Sequence, residues 1–164
     1  MKKAHATVTA LPNPALSQAL APHLRDRYPD VLGRMRAILR HPRCLARALS
    51  TWRPPTLMLP DPLSGGDLVV ALTRHRMGPR ARARIRGFAP SRQAAYLISA
   101  RFSRPDGHPA QPAAAEAWVR ALLTGEDSTA VHESPREPAP TYRWCVDALF
   151  RPVASPASLF ADAA

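Results

Sequence analysis

The stretch DLVVALTRHRMGPRARARIRGF, Asp67 to Phe88, decides the fold. Its first half carries the β-branched pair Val69 and Val70 and predicts a strand over residues 68–76. Its second half sets Arg80, Arg82, Arg84 and Arg86 in strict alternation behind Gly78-Pro79. If Gly78 supplies the positive φ of a type II′ turn, the chain folds back on itself, so that His75 faces Arg82, Thr73 faces Arg84 and Ala71 faces Arg86. Successive side chains alternate across a strand. One face of the hairpin would then show Arg82, Arg84 and Arg86 beside Thr73 and His75, with Val70, Leu72, Ala83 and Ile85 turned to the core. A second reading stays open, in which Pro79 at the first helical position and Gly87 just past the last frame a short helix.

Either geometry crowds like charge. Residues 68–105 hold nine arginines and no acid, a run more one-sided than a merely solvated surface keeps. The whole chain has a formal charge of +11 and a pI near 11.3. Coding bias toward GC-rich, bacterial-like composition accounts for arginine replacing lysine, since 21 of the 23 basic residues other than histidine are arginine, but not for where they sit. Residues 1–105 carry 19 basic and 4 acidic side chains, a balance of +15, whereas residues 106–164 carry 4 basic and 8 acidic, a balance of −4. Guanidinium forks fit phosphate oxygens, and self-repulsion among them is relieved by a polyanion. The expected activity is therefore non-catalytic binding of DNA or RNA through the phosphate backbone. The contacts would come from Arg74, Arg76, Arg80, Arg82, Arg84 and Arg86, supplemented by Arg43 and Arg47. Alternatives are an interaction subunit or adaptor whose basic surface docks on an acidic protein, and, more remotely, a nuclease with His75 as general base.

Around this segment the sequence predicts a small α+β domain: N-terminal helices, the basic antiparallel hairpin or a small three-stranded sheet, and a C-terminal covering helix. Residues 1–12 read as a flexible arm and 13–125 as the basic domain. In PALSQALAPHLRDRY, Asn13 and Pro14 frame a helix start, and Leu16, Leu20 and Leu24 share a face that Pro22 threatens to kink. Asp30 is placed to cap a second helix with Val31, Met35, Ile38 and Leu39 inward and Arg34, Arg36 and Arg40 outward. Beyond Pro42, RCLARALSTW predicts a third helix, and residues 53–66 read as a proline-rich connection. Three helices before a basic hairpin resemble, in element order alone, the winged helix-turn-helix arrangement. In that arrangement Arg43, Arg47 and Ser50 would enter a major groove.

AAYLISARF fits a strand with Tyr96, Ile98, Ala100 and Phe102 on one face, or a helix capped by Ser91; the PDG turn at 105–107 favours the strand. Pro112 opens the covering helix, with Ala115, Trp118 and Leu122 inward and Gly125 at its close. Residues 126–140 read as an acidic, proline-containing linker, 141–151 as a packing segment that is helical or extended, and 152–164 as a disordered tail.

Other chemistry is weakly supported. Cys44 and Cys145 form no framework of spacings, so a reducing, cytoplasmic setting is expected. His41 and Cys44 make an HxxC pair, too little for a zinc site without a second clustered pair. Neither a phosphate-loop glycine pattern nor GxSxG occurs, and no cofactor is implied. Trp52, Trp118 and Trp144 each fall in an apolar pattern and are expected in the core rather than stacked on bases. No apolar run is long enough to insert into a membrane. Pro12, Asn13, Pro14 and Gln18 interrupt what would be the apolar region of a cleaved signal. Leu159 and Phe160 in the tail resemble a sliding-clamp peptide without its upstream glutamine, which reads as coincidence.

Overall fold

The computed structural model describes residues 14–46, 53–78, 80, 96–123, 132–133 and 136–146. The elements are α1 (Pro14–Arg27), α2 (Pro29–Arg40), a 3-10 turn (Pro42–Cys44), β1 (Thr56–Pro60), β2 (Asp67–Arg76), β3 (Tyr96–Ser103), α3 (Pro112–Leu122), β4 (His132–Glu133) and β5 (Thr141–Val146). One antiparallel sheet has the order β1-β2-β3-β5-β4 and carries the helices on one face, an α+β architecture as expected.

In β2, Leu68, Val70 and Leu72 are fully buried while Thr73 and His75 point the other way, so the expected alternation is correct. The expected partner is not. One edge of β2 pairs with β3, from Val69 opposite Ser103 to Arg76 opposite Tyr96. The other pairs with β1, from Thr56 opposite Ala71 to Pro60 opposite Asp67. His75 thus faces Leu97 and Thr73 faces Ser99, where the hairpin required Arg82 and Arg84. The physical reason lies in what each candidate buries: β3 brings Ile98, Ala100 and Phe102 to the covered face, whereas the arginine repeat offers only Ala83 and Ile85. Arg80 is helical, and residues 81–95 lie outside the described residues.

β1 forms within the segment read as a connection. Its outward-facing end tolerates proline because an edge strand has one side without ladder bonds. The loop back to β2 is built on Asp61, whose Oδ1 accepts the backbone N–H of Leu63 at 2.8 Å and of Ser64 at 3.2 Å. Gly65 sits at φ 74°, the left-handed conformation this reversal requires.

The β3 reading as a strand is correct, with Ile98, Ala100 and Phe102 buried and Tyr96 packed beside them. Past it, the turn closes with the Gly107 N–H on the Arg104 carbonyl at 2.9 Å and Gly107 at φ 87°. β5 then enters beside β3, with Ile98 opposite Trp144 and Ala100 opposite Tyr142. Residues 141–146 of the segment expected to be helical or extended are therefore a strand of the main sheet, and residues 147–151 lie outside the described residues. The core runs through Val146, past the boundary expected at residue 125. Part of the expected linker, His132–Glu133, forms β4 on β5.

Helix α3 begins at Pro112 and buries Ala115, Trp118 and Leu122 as expected; Gly125 lies outside the described residues. It packs against α1. The leucine stripe of α1 is inward only in part: Leu24 is buried beside Ser17 and Ala21 and Leu20 packs against the core, while Leu16 is 36% exposed. Ala114, Ala117 and Ala121 on α3 are equally small, and small side chains let two helices approach closely. Pro22 leaves α1 continuous. In α2, Pro29 occupies the first turn, so Asp30 lies inside the helix instead of capping it. There its charge still complements the positive helix end.

The third helix does not form over residues 43–46. After one 3-10 turn Leu45 is extended, at φ −63° and ψ 119°, and bridges Arg74 in parallel; the Ala46 N–H meets the Arg74 carbonyl at 2.9 Å. The sheet edge left open beyond β1 recruits this segment. A helix starting at Arg43 is thereby excluded, and the winged-helix order with it; residues 47–52 lie outside the described residues. No helix among the described residues is long and apolar enough to cross a membrane.

Candidate nucleic-acid interface

The arginines of this chain divide by what they touch. Arg74 is 4% exposed, and its guanidinium donates from Nη1 to the carbonyls of Leu39 at 2.8 Å and Arg40 at 3.2 Å. These belong to the last turn of α2, where carbonyls lack helical partners and the dipole is negative. The Arg74 Cζ lies 5.2 Å from the centre of the Tyr96 ring, a cation–π contact. Arg74 was expected to meet phosphate; it is a correction, because its side chain shares the inward parity of Val70 and Leu72 and is used up inside the fold.

Two further arginines close α3. Arg25 donates from Nε to Ala121 O at 3.2 Å and from Nη2 to Leu123 O at 3.1 Å, and Arg36 donates to Leu122 O at 3.2 Å. The sequence signal for this was present but easily passed over: glycine is scarce at the helix ends, so something else must satisfy their last carbonyls. Such bonds leave the positive charge in place, because a carbonyl is a dipole and not an anion.

Ion pairs, by contrast, join Arg104 to Asp106, Arg120 to Glu116 and Arg143 to Glu137, all beyond residue 103. Among the described residues, Asp106, Glu116 and Glu137 thus each meet an arginine close by in sequence. Glu137 is held below the ordinary carboxylate range by the Thr141 hydroxyl and the Arg143 guanidinium, despite partial burial.

Arg43, Arg76 and Arg80 are exposed, and none pairs with a carboxylate among the described residues. Arg43 and Arg76 flank the parallel bridge between Leu45 and Arg74. Arg43, in the 3-10 turn, precedes it by two residues, and Arg76 follows it by two, about 7 Å on along β2, so the two lie in opposite directions from it. Arg80 is four residues further on. At the adjoining end of α2, Arg40 has its pKa lowered by burial and then by the charge of Arg36, the mark of crowded positive charge. Arg47, Arg82, Arg84 and Arg86 lie outside the described residues.

At the opposite end of β2, roughly 30 Å away for ten strand residues, the surface changes sign. A hollow of about 440 Å³ between the two turns is lined by Asp61, Asp67, Asp106 and Arg104 together with Ser64 and Gln111. The sheet is therefore basic at one end and acidic at the other.

The remaining candidates resolve simply. His75 is exposed beside Thr73 on the open face, opposite Leu97. His41 accepts the Arg43 N–H at Nδ1, and Cys44 is buried with its Sγ 3.5 Å from Leu72 O. Burial pushes the Cys44 thiol up to about 11, with the charge of Arg74 opposing. The described residues contain no group of three metal-ligating side chains. Trp118 and Trp144 are fully buried, as their apolar settings predicted. Comparison of the chain with family models, with curated proteins and with solved structures finds no match.

Proposed function

We propose that this protein binds nucleic acid without catalysis, through phosphate-backbone contacts from Arg43, Arg76 and Arg80 at the basic end of the sheet. The observation that carries this reading is that these three side chains are exposed and have no carboxylate partner among the described residues. In sequence they continue into Arg82, Arg84 and Arg86 on one side and Arg47 on the other. Guanidinium groups within about two Debye lengths of one another, near 20 Å at ~0.1 M salt, act jointly on a chain of phosphates. Neutralising phosphates releases condensed counterions, so affinity falls linearly in a plot of log K against log salt.

A labelled duplex titrated at several salt concentrations tests this. Arg43→Gln, Arg76→Gln and Arg80→Gln should each reduce the slope by about 0.9 for every phosphate contact removed. Arg104→Gln, at the acidic end, should leave it unchanged. Salt-independent binding, or equal loss in all four variants, would remove the proposed interface.

A further inference from the structure

Strand β4 carries an ionisable group beneath α3. Glu133 stands opposite Tyr142 in the register, so its half-buried side chain shares the inward parity of that ring. The Tyr142 hydroxyl donates to Pro112 O at 3.2 Å, and Glu116 lies one helical turn further along α3. Strand and helix thus bring two carboxyl groups together. Glu116 is only 9% exposed. Its Oε1 accepts from Arg120 Nε at 3.1 Å and Nη2 at 2.8 Å, whereas its Oε2 is buried with no hydrogen-bond partner. A buried carboxylate oxygen left in this way is costly, so the site calls for a donor. The neighbouring donors are engaged: the Tyr142 hydroxyl on Pro112 O, and Arg120 Nε on Glu116 Oε1 and the Ser17 hydroxyl. Charge leads to the same answer. The charges acting on Tyr142 are two carboxylates, Glu133 and Glu116, against one guanidinium, Arg120. A proton supplies the missing positive charge.

We infer that Glu133 closes β4 against α3 by donating its carboxyl proton to Glu116 Oε2, and that loss of this proton to solvent releases β4 from the edge of β5. In the closed state the Glu133 O–H donates, Oε2 accepts, and Arg120 balances the single negative charge. Once the proton leaves, two like charges share a partly dry site with one guanidinium between them. β4 is a two-residue strand, with His132 opposite Arg143 and Glu133 opposite Tyr142, so Glu133 is a large share of its attachment. The Glu133 pKa is raised, by burial first and by the charge of Glu116 second. The stabilisation of closed β4 is therefore complete below the ordinary glutamate value of 4.5 and is lost as pH rises through the raised value. Release bares the backbone of β5 that β4 had covered.

Amide hydrogen exchange of the full chain from about pH 4 to 8, expressed as protection relative to the unstructured rate, tests this. Protection of residues 132 and 133 should fall with rising pH, about tenfold for each unit by which the Glu133 pKa is raised, while Ile98 and Ala100 stay protected. Glu133→Gln keeps a donor for Oε2 and cannot ionise, so it should hold that protection at every pH; Glu133→Ala should lack it throughout. Glu116→Gln removes the like charge, and the fall should shift to lower pH or vanish. Protection independent of pH in the native chain, Glu133→Gln as unprotected as Glu133→Ala, or a fall at unchanged pH in Glu116→Gln would overturn the inference. Should Glu116→Gln not fold, titration of the native Glu133 carboxyl by carbon-13 NMR decides the point, and a midpoint at or below 4.5 would overturn it.

Discussion

Arg74 reaches across 35 positions of chain to place its Nη1 2.8 Å from the Leu39 carbonyl, joining β2 to the end of α2. Replacing it with methionine keeps most of the volume and leaves the Leu39 and Arg40 carbonyls without this donor. The expected cost is about 1–3 kcal/mol of stability, read from the midpoint of urea unfolding. The salt slope for duplex binding should not change. A drop of about 0.9 in that slope would place Arg74 back on the interface.

Trp118 fixes the sheet edge in a similar way. Its indole Nε1 donates to Pro60 O at 2.9 Å, and Pro60 is the last residue of edge strand β1. Trp118→Phe removes that bond and should cost about 1 kcal/mol beyond any packing change, whereas Trp118→Ala should cost about 3–5 kcal/mol. Hydrogen exchange should report the first change as faster opening of β1, with β3 and β5 still protected.

Cys44 makes stability depend on alkaline pH. Its thiol is raised to about 11 from an ordinary 9.0, so the fold favours the neutral form. The resulting stabilisation is complete below about pH 9 and is lost as pH rises toward 11, roughly 2–3 kcal/mol in all. Tyr142, also raised by burial, acts in the same sense at higher pH. Unfolding free energies measured from pH 8 to 11 should fall less steeply in Cys44→Ala. In a Cys145→Ser background, native Cys44 should resist a thiol reagent that labels the unfolded chain at once.

Glu137 gives the opposite dependence. Its pKa is lowered, chiefly by hydrogen bonds from Thr141 and Arg143, so its contribution is present above the ordinary glutamate value of 4.5 and is lost as pH falls through the lowered one. Thr141→Val, which removes the leading cause, should flatten the acid limb of a stability–pH curve. An unchanged limb would show that the Thr141 hydroxyl does not hold the carboxylate.

What the sequence disclosed and what it hid follow from one distinction. Local periodicity was readable: the alternation of Leu68, Val70 and Leu72, the face of Ile98, Ala100 and Phe102, and the Pro112 start of α3 all follow from side-chain pattern alone. Pairing was not. The arginine repeat has a strand's alternation, yet β2 took β3 and β1 as neighbours, because burial of apolar rows across the sheet outweighs the convenience of a short turn. β1 itself is hard to see because Pro60 and the prolines that flank the strand resemble a connection, and an edge strand tolerates Pro60. At the site, composition located the charge but not its use. Arg74 and Arg76 are two residues apart on one strand and share the parity of Val70; the first is buried against the end of α2, while the second, the last residue of β2, is exposed.

The strand order has a consequence for synthesis. β5 lies between β3 and β4, so one side of β3 is completed by the last strand of the described chain to be made. As the polypeptide leaves the ribosome, Ile98 and Phe102 emerge some forty residues before Tyr142 and Trp144 can seal their row. Throughout that interval the nascent molecule carries a half-finished sheet with an unzipped border, open to cross-pairing with a neighbouring copy. Ribosome-bound chains released before residue 141 should therefore require a chaperone to stay dispersed, while those released after residue 146 should not.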